Sequence, residues 1–196
     1  MKGIFYGIGI GPGDPEHITL KAVRMMKEVD IIAAPGTDVK ETLAYRIAVQ
    51  AVPEIEQKEM LPIDMPMTMD KEILLKAHKN GAETIEKVLA EGKSVGFITL
   101  GDTTVYSTFS YLEKIVKEHG FETVYISGIT SFCAAAASLG IPLTEWQEPL
   151  HVIPAVHQLD DKLALDGSYV LMKSGRQMPK VKEILKASGR KVNMVE

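Results

Sequence analysis

Residues 7–15 read GIGIGPGDP, placing Gly7, Gly9, Gly11 and Gly13 between a short apolar run and an amphipathic stretch. A strand, a glycine loop and a helix in that order build a corner where backbone rather than side chains faces a ligand. Dense glycine also serves tight strand–helix packing, but this density favours a ligand loop. The spacing argues against a dinucleotide fingerprint. G-x-G-x-x-G started at Gly7 needs glycine where Pro12 stands, and started at Gly9 it needs glycine where Asp14 stands. The next strand ends Ile31-Ile32-Ala33-Ala34-Pro35, with no carboxylate to hold a ribose hydroxyl.

Working outward from that loop, strand and helix patterns alternate. Ile4–Ile10 reads as a buried strand, and Thr19–Val29 as a helix with Leu20, Val23 and Met26 on one face. Asp30–Ala34 is a second strand, and Thr42–Ala51 a second helix. Lys58–Ile63 contains Pro62 and belongs at a sheet edge. Asp70 caps a long helix to about Glu91, with Ile73, Ala77, Gly81, Ile85, Val88 and Leu89 at helical spacing. Ser94–Leu100, a helix over Val105–His119 and Glu122–Ile126 follow. Such alternation with short links predicts an α/β fold with a mostly parallel, doubly wound N-terminal sheet. Ligands of such sheets sit beyond the carboxyl ends of the strands, where residues 9–15, 101–106 and 127–131 fall, all rich in Gly, Asp, Ser or Thr.

Beyond about residue 140 the strands shorten: His151–Pro154, Ser168–Met172 and Lys191–Val195, with one clear helix, Pro179–Ala187. This predicts a second, smaller mixed α/β domain, with domains at 1–127 and 128–196. The chain stops in what reads as the start of a strand, so a longer natural protein is expected.

The 196 residues are 45% hydrophobic and 24% charged, with a formal charge of −4. That charge offers no general attraction to nucleic acid or anionic membranes. A single cysteine, Cys133, excludes an internal disulfide and a cysteine-based zinc site, and suits a reducing cytoplasm. No apolar run reaches membrane-spanning length, and the N-terminus reads as a strand rather than a signal peptide. No metal site is expected: His151 and His157 lack ligand spacing. Cys133, in an alanine run, reads as a small core residue. Met25 and Met26 with Met60, Met65, Met67 and Met69 read as core and rim filler, and Lys180, Lys182 and Glu183 as a solvated helix face.

Three segments in this order resemble the tetrapyrrole methylase family: GIGIGPGDPEHITLKAV at the start, LGDTTVYSTF at 100–109, and SGITSFCAAAASLGIPL at 127–143. Tyr106-Ser107-Thr108 and the segment running to Pro154-Ala155 most resemble its precorrin-2 or cobalt-precorrin-2 C20-methyltransferase branch. The match covers nearly the whole chain. Thr103 and Ser127 stand where the family usually has proline, and both leave the backbone less constrained. Family members carry further C-terminal residues, in keeping with the longer protein expected above.

The resemblance implies a two-domain tetrapyrrole-methylase-like fold, with cofactor and substrate in the cleft between domains. The implied reaction is methyl transfer from S-adenosylmethionine to a meso carbon, at C20 of precorrin-2 or cobalt-precorrin-2 in cobalamin biosynthesis. Such a displacement needs alignment in a dry site more than acid–base machinery. By the same resemblance Gly101, Asp102, Val105, Thr130 and Ser131 hold the cofactor, Met172 lies against its adenine, and Gly11, Pro12, Gly13 and Asp14 face the tetrapyrrole. A proton leaving the substrate could go to Tyr106, Asp102 or solvent. Asp102 could equally be a helix cap, and Thr130 and Ser131 capping residues. Arg24, Arg46, Lys173 and Arg176 are unranked partners for substrate carboxylates. A homodimer is expected from the family. Alternatives are another ring position, a distant-family RNA or protein substrate, or a binding protein without turnover.

Overall fold

The structure is a computed structural model that describes residues 2–68, 70–154, 163, 165–189 and 192–193. The chain divides into two compact units, Met1–Ser131 and Phe132–Glu196. The first alternates β1 (Ile4–Gly9), α1 (Leu20–Glu28), β2 (Ile31–Pro35), α2 (Leu43–Ala51), β3 (Glu59–Ile63), α3 (Lys71–Ala90), β4 (Val95–Thr99), α4 (Phe109–Glu118) and β5 (Glu122–Ile126), and α5 (Ser131–Leu139) follows. The five strands form one parallel sheet in the order β3-β2-β4-β1-β5. The expected α/β class and parallel central sheet are present.

Period-two alternation sends successive strand residues to opposite faces. Ile8, Ile32, Ala34 and Ile98 pack with α1 and α2 through Met26, Ala44, Ile47 and Ala48. Phe5, Ile31, Ala33 and Phe97 pack with α3 and α4 through Ile85, Leu89, Phe109 and Leu112. The chain therefore leaves β1 toward one face and the adjacent β4 toward the other, the kind of switch point beyond whose carboxyl ends ligands of such sheets sit.

Three helices start on side-chain caps. Thr19 Oγ1 accepts from Ala22 N at 3.2 Å, Thr42 Oγ1 from Tyr45 N at 3.2 Å, and the Asp70 carboxylate from Glu72 N at 2.9 Å. Each such cap contributes about 1 kcal/mol. Glu113, buried on α4, accepts from Thr123 Oγ1 at 2.7 Å and Tyr125 Oη at 3.2 Å and so ties α4 to β5. Burial, and then the Glu113 charge, raise the Tyr125 hydroxyl pKa.

Several local expectations are corrected. Leu20 points outward, 89% exposed, because the buried stripe of α1 runs through Ala22, Met25 and Met26. Ile73 is half exposed and Met67 wholly so. The helix expected from Val105 begins at Phe109, because Tyr106 adopts a left-handed φ of 48° and a helix cannot pass through it. The alanine run forms α5, in which Cys133 is exposed rather than a core residue.

In the second unit, β6 (Leu150–Pro154) pairs in parallel with β7 (Ser168–Met172), and α6 (Met178–Ser188) ends at left-handed Gly189. Leu163 and Val181 pack with Tyr169 and Leu171 as its small core. Of the strand expected over 191–195, Val192 and Asn193 are described and are not in a strand; the rest of it, with Met69 and His157, lies outside the described residues.

Candidate active site

The three loops beyond β1, β4 and β5 meet backbone to backbone. Past the end of β1, Gly11 and Gly101 form an antiparallel bridge, Gly101 N donating to Gly11 O at 2.8 Å and Gly11 N to Gly101 O at 3.2 Å. Both glycines are left-handed, at φ 75° and 70°, a conformation that other residues adopt at a cost. A Cβ on Gly9 would stand 2.6 Å from Gly128 N and 2.8 Å from Gly101 O. One on Gly128 would collide with Gly101 O. Glycine is required at both positions because backbone already fills the space of a side chain.

Asp102, 7% exposed, locks this junction. One carboxylate oxygen accepts from Gly128 N at 2.8 Å, and the other accepts from both the backbone N at 2.7 Å and the hydroxyl of Thr104. Charge-assisted bonds of this kind are about twice as strong as neutral ones. Thr103, fully buried, donates from Oγ1 to Ile126 O at 3.3 Å. Thr19 Oγ1 donates to Ser127 O at 3.4 Å, joining the cap of α1 to the third loop. The β4 loop is held from below as well. Ser107 Oγ accepts from Phe109 N at 3.2 Å, and the Phe109 ring occupies the space that a Gly7 side chain would need.

The structure thus brings Gly11, Gly101, Asp102 and the residues around Gly128 together. Gly101 faces Ile129 O and Ser131 N, at 3.8 and 3.9 Å from the position of a Cβ. Pro12 is half-buried, while Gly13, Asp14 and Ser131 are exposed, and Asp14 caps the short turn Pro15–His17 by accepting from Glu16 N at 2.8 Å. Val105 is half-buried and Tyr106 stands 43% exposed at the tip of the loop. Met172 is the last residue of β7, in the second unit. Arg24 and Arg46 pair with Glu28 and Glu41, at 3.7 and 2.7 Å.

Thr130 Oγ1 is buried and, among the described residues, has no hydrogen-bond partner; the same is true of His17 Nδ1, beside Gly11. Leaving such atoms unpaired costs on the order of 1–3 kcal/mol. A glycine-lined junction with an unsatisfied hydroxyl fits a polar cofactor held largely by backbone. Thr104 is not among the residues the sequence singles out, and Ser107 and Thr19 stand out there only within the 106–108 stretch and as the start of a helix. The Asp-x-Thr spacing is the turn signal that could have found Thr104.

Among the described residues, no cluster of His, Cys, Asp and Glu could hold a metal ion, and no helix is long and apolar enough to cross a membrane.

Residues 5–196 match the family model described as Tetrapyrrole (Corrin/Porphyrin) Methylases. A protein of Methanocaldococcus jannaschii, "Probable cobalt-precorrin-2 C(20)-methyltransferase", is 41% identical over 86% of this chain and 71% of its own length. The "Cobalt-precorrin-2 C(20)-methyltransferase" of Salmonella typhimurium is 32% identical over 96% of this chain and 80% of its own. The uroporphyrin-III C-methyltransferase of Thermus thermophilus, solved with "S-adenyl homocysteine", shares the fold at a TM-score of 0.60 and 22% identity, over 96% of this chain and 78% of that one. With three glycine-built loops meeting as described, the chain belongs to the tetrapyrrole (corrin/porphyrin) methylases.

Proposed function

We propose that the chain is an S-adenosylmethionine-dependent methyltransferase acting at C20 of precorrin-2 or cobalt-precorrin-2 in cobalamin biosynthesis. The carrying observation is the 41% identity to the Methanocaldococcus jannaschii relative across 86% of the chain. S-adenosylmethionine supplies, when bound, an electrophilic methyl group on a sulfonium. The meso carbon of the tetrapyrrole attacks that methyl; the carbon's electron pair forms the new C–C bond, and the C–S pair remains on sulfur. A proton then leaves the methylated carbon.

The protein's part is to bind, orient and keep out water. Backbone at Gly101 and Val105 with the hydroxyls of Thr130 and Ser131 forms the cofactor contact surface, and the unpaired Thr130 Oγ1 supports it. Met172 on β7 is the proposed adenine neighbour. Gly11, Pro12, Gly13 and Asp14 face the tetrapyrrole. Both Asp102 oxygens already accept hydrogen bonds from the loops, so its proposed role is to hold Gly128 and Thr104 in place. Tyr106, strained and exposed at the loop tip, is the candidate to meet the substrate and to take or relay the proton. Strain of this kind costs on the order of 1–3 kcal/mol and clusters at functional sites.

A cytoplasmic location and a homodimer complete the proposal. The single cysteine supports the first; family membership supports the second. The test is incubation with precorrin-2 or its cobalt complex and a methyl-labelled donor. The expected product carries one labelled methyl at C20. Label at another ring position would move the chain to a different branch, and cofactor binding without transfer would make it a binding protein.

A further inference from the structure

At the same carboxyl edge of the sheet, but away from the glycine junction, a cavity of about 320 Å³ opens between the end of β3 and the first half of α3. Pro62, Ile63 and Ala77 give it apolar walls; Asp64, Lys76 and Asn80 give it polar ones. It is a built feature. Gly81 lies in the middle of α3, where glycine costs about 0.5–1 kcal/mol relative to alanine. A Cβ there would stand 2.8 Å from Ile63 Cγ2 and 2.9 Å from Met65 Cε. The glycine lets the helix settle onto β3, which sets the depth of the cavity wall.

Its size is at the bottom of the range for ligand pockets. It can admit one side arm of a large ligand, not a macrocycle. Its position suits that role. β3 stands two places from β4, whose loop carries Tyr106, and three from β1, whose loop faces the tetrapyrrole, about 10 and 14 Å away, distances within the span of a tetrapyrrole with its carboxylate arms. α3 and α4 share one face, so the cavity and the Gly101–Thr108 loop lie on the same side of the sheet.

Charge decides which arm. Lys79 and Lys93 have acidic neighbours, Glu83 at 4.0 Å and Glu59 at 3.1 Å. Among the described residues no carboxylate pairs with Lys76. Asp64, the other charged group of the wall, would repel an anion, so the arm must be drawn to the Lys76 side. We infer that this cavity is a subsite for one carboxylate arm of the tetrapyrrole, with Lys76 as its cation and Asn80 as a neutral donor. The inference rests on the proposed tetrapyrrole substrate and adds a contact that the three glycine loops do not supply.

The test titrates the full chain with sirohydrochlorin, the oxidised form of precorrin-2, and in parallel with its fully methyl-esterified form and with S-adenosylhomocysteine. Lys76→Ala is expected to raise the dissociation constant for sirohydrochlorin about five- to tenfold, and Lys76→Arg to stay within about twofold of wild type. The ester is expected to bind wild type and Lys76→Ala alike, and S-adenosylhomocysteine affinity to be unchanged. Equal affinity of wild type and Lys76→Ala for the free acid would overturn the subsite while leaving the substrate reading intact. A wild-type chain that binds no sirohydrochlorin would overturn both.

Discussion

Along one edge of one sheet, two corners are built in opposite ways. Above β1, β4 and β5 the loops touch through glycine backbone, bridged between Gly11 and Gly101 and locked by Asp102. Above β3 the wall is made of side chains, with a cavity beside α3 and Met67 wholly exposed nearby. Backbone geometry tolerates almost no change of residue, whereas a side-chain wall can be altered residue by residue. The first construction fixes a single geometry; the second leaves room for a change of shape or charge.

The contrast is sharpest in what substitution should do. Gly128→Ala places a methyl against Gly101 O and Gly9; a loss of at least about 2 kcal/mol of stability is expected, together with loss of S-adenosylhomocysteine binding. Urea unfolding and calorimetric titration read the two effects. A normally stable Gly128→Ala chain would mean that the junction is looser than described. Asp102→Ala removes bonds to Gly128 and Thr104 and is expected to cost about 2 kcal/mol, with cofactor affinity at least tenfold weaker.

Thr130→Val separates binding from folding. Among the described residues its hydroxyl has no partner to lose, so stability should stay within about 0.5 kcal/mol or rise, while S-adenosylhomocysteine affinity falls about five- to tenfold. Unchanged affinity would remove Thr130 from the cofactor surface. In the β3 corner, Met67→Ser should leave stability within about 0.5 kcal/mol of wild type, as expected for an exposed site.

The smallest effect lies at the opposite edge. Bonds from Ser94 Oγ and N lower the Asp30 pKa. The stabilisation is fully present above its ordinary value near 3.8 and is lost as pH falls through the lowered native value. Being exposed, the pair is worth only a few tenths of a kcal/mol. Asp30→Asn should therefore lower stability by a few tenths of a kcal/mol at neutral pH and flatten the acid limb, the two curves converging below the native value.

Strands and helices of the first unit were legible because each carries its own period: Ile31–Pro35 and Val95–Thr99 are apolar runs, and Thr19, Thr42 and Asp70 announce their helices. The glycine loops were legible as loops. Their mutual contact was not, since nothing local in Gly9 or Gly128 says which backbone will fill the missing side chain's place. The late start of α4 was hidden by Val105 and Tyr106, which suit a helix until the left-handed turn intervenes. The cavity beside β3 depends on how Gly81 seats a helix on a strand, a tertiary fact with no periodic trace. α5 has a signal in the alanine run, from which only Cys133 is singled out, as a core residue.

The Gly11–Gly101 bridge has a consequence for how the protein acquires its site. Its two residues come from opposite ends of a long stretch of chain, so their pairing closes a large loop and must await the docking of β4 beside β1. The ligand corner therefore closes only once β1 and β4 have paired. In hydrogen exchange the Gly11 and Gly101 amides should report its opening directly, exchanging faster than the amides of Phe97 and Ile98 in the same sheet and slowing when cofactor binds.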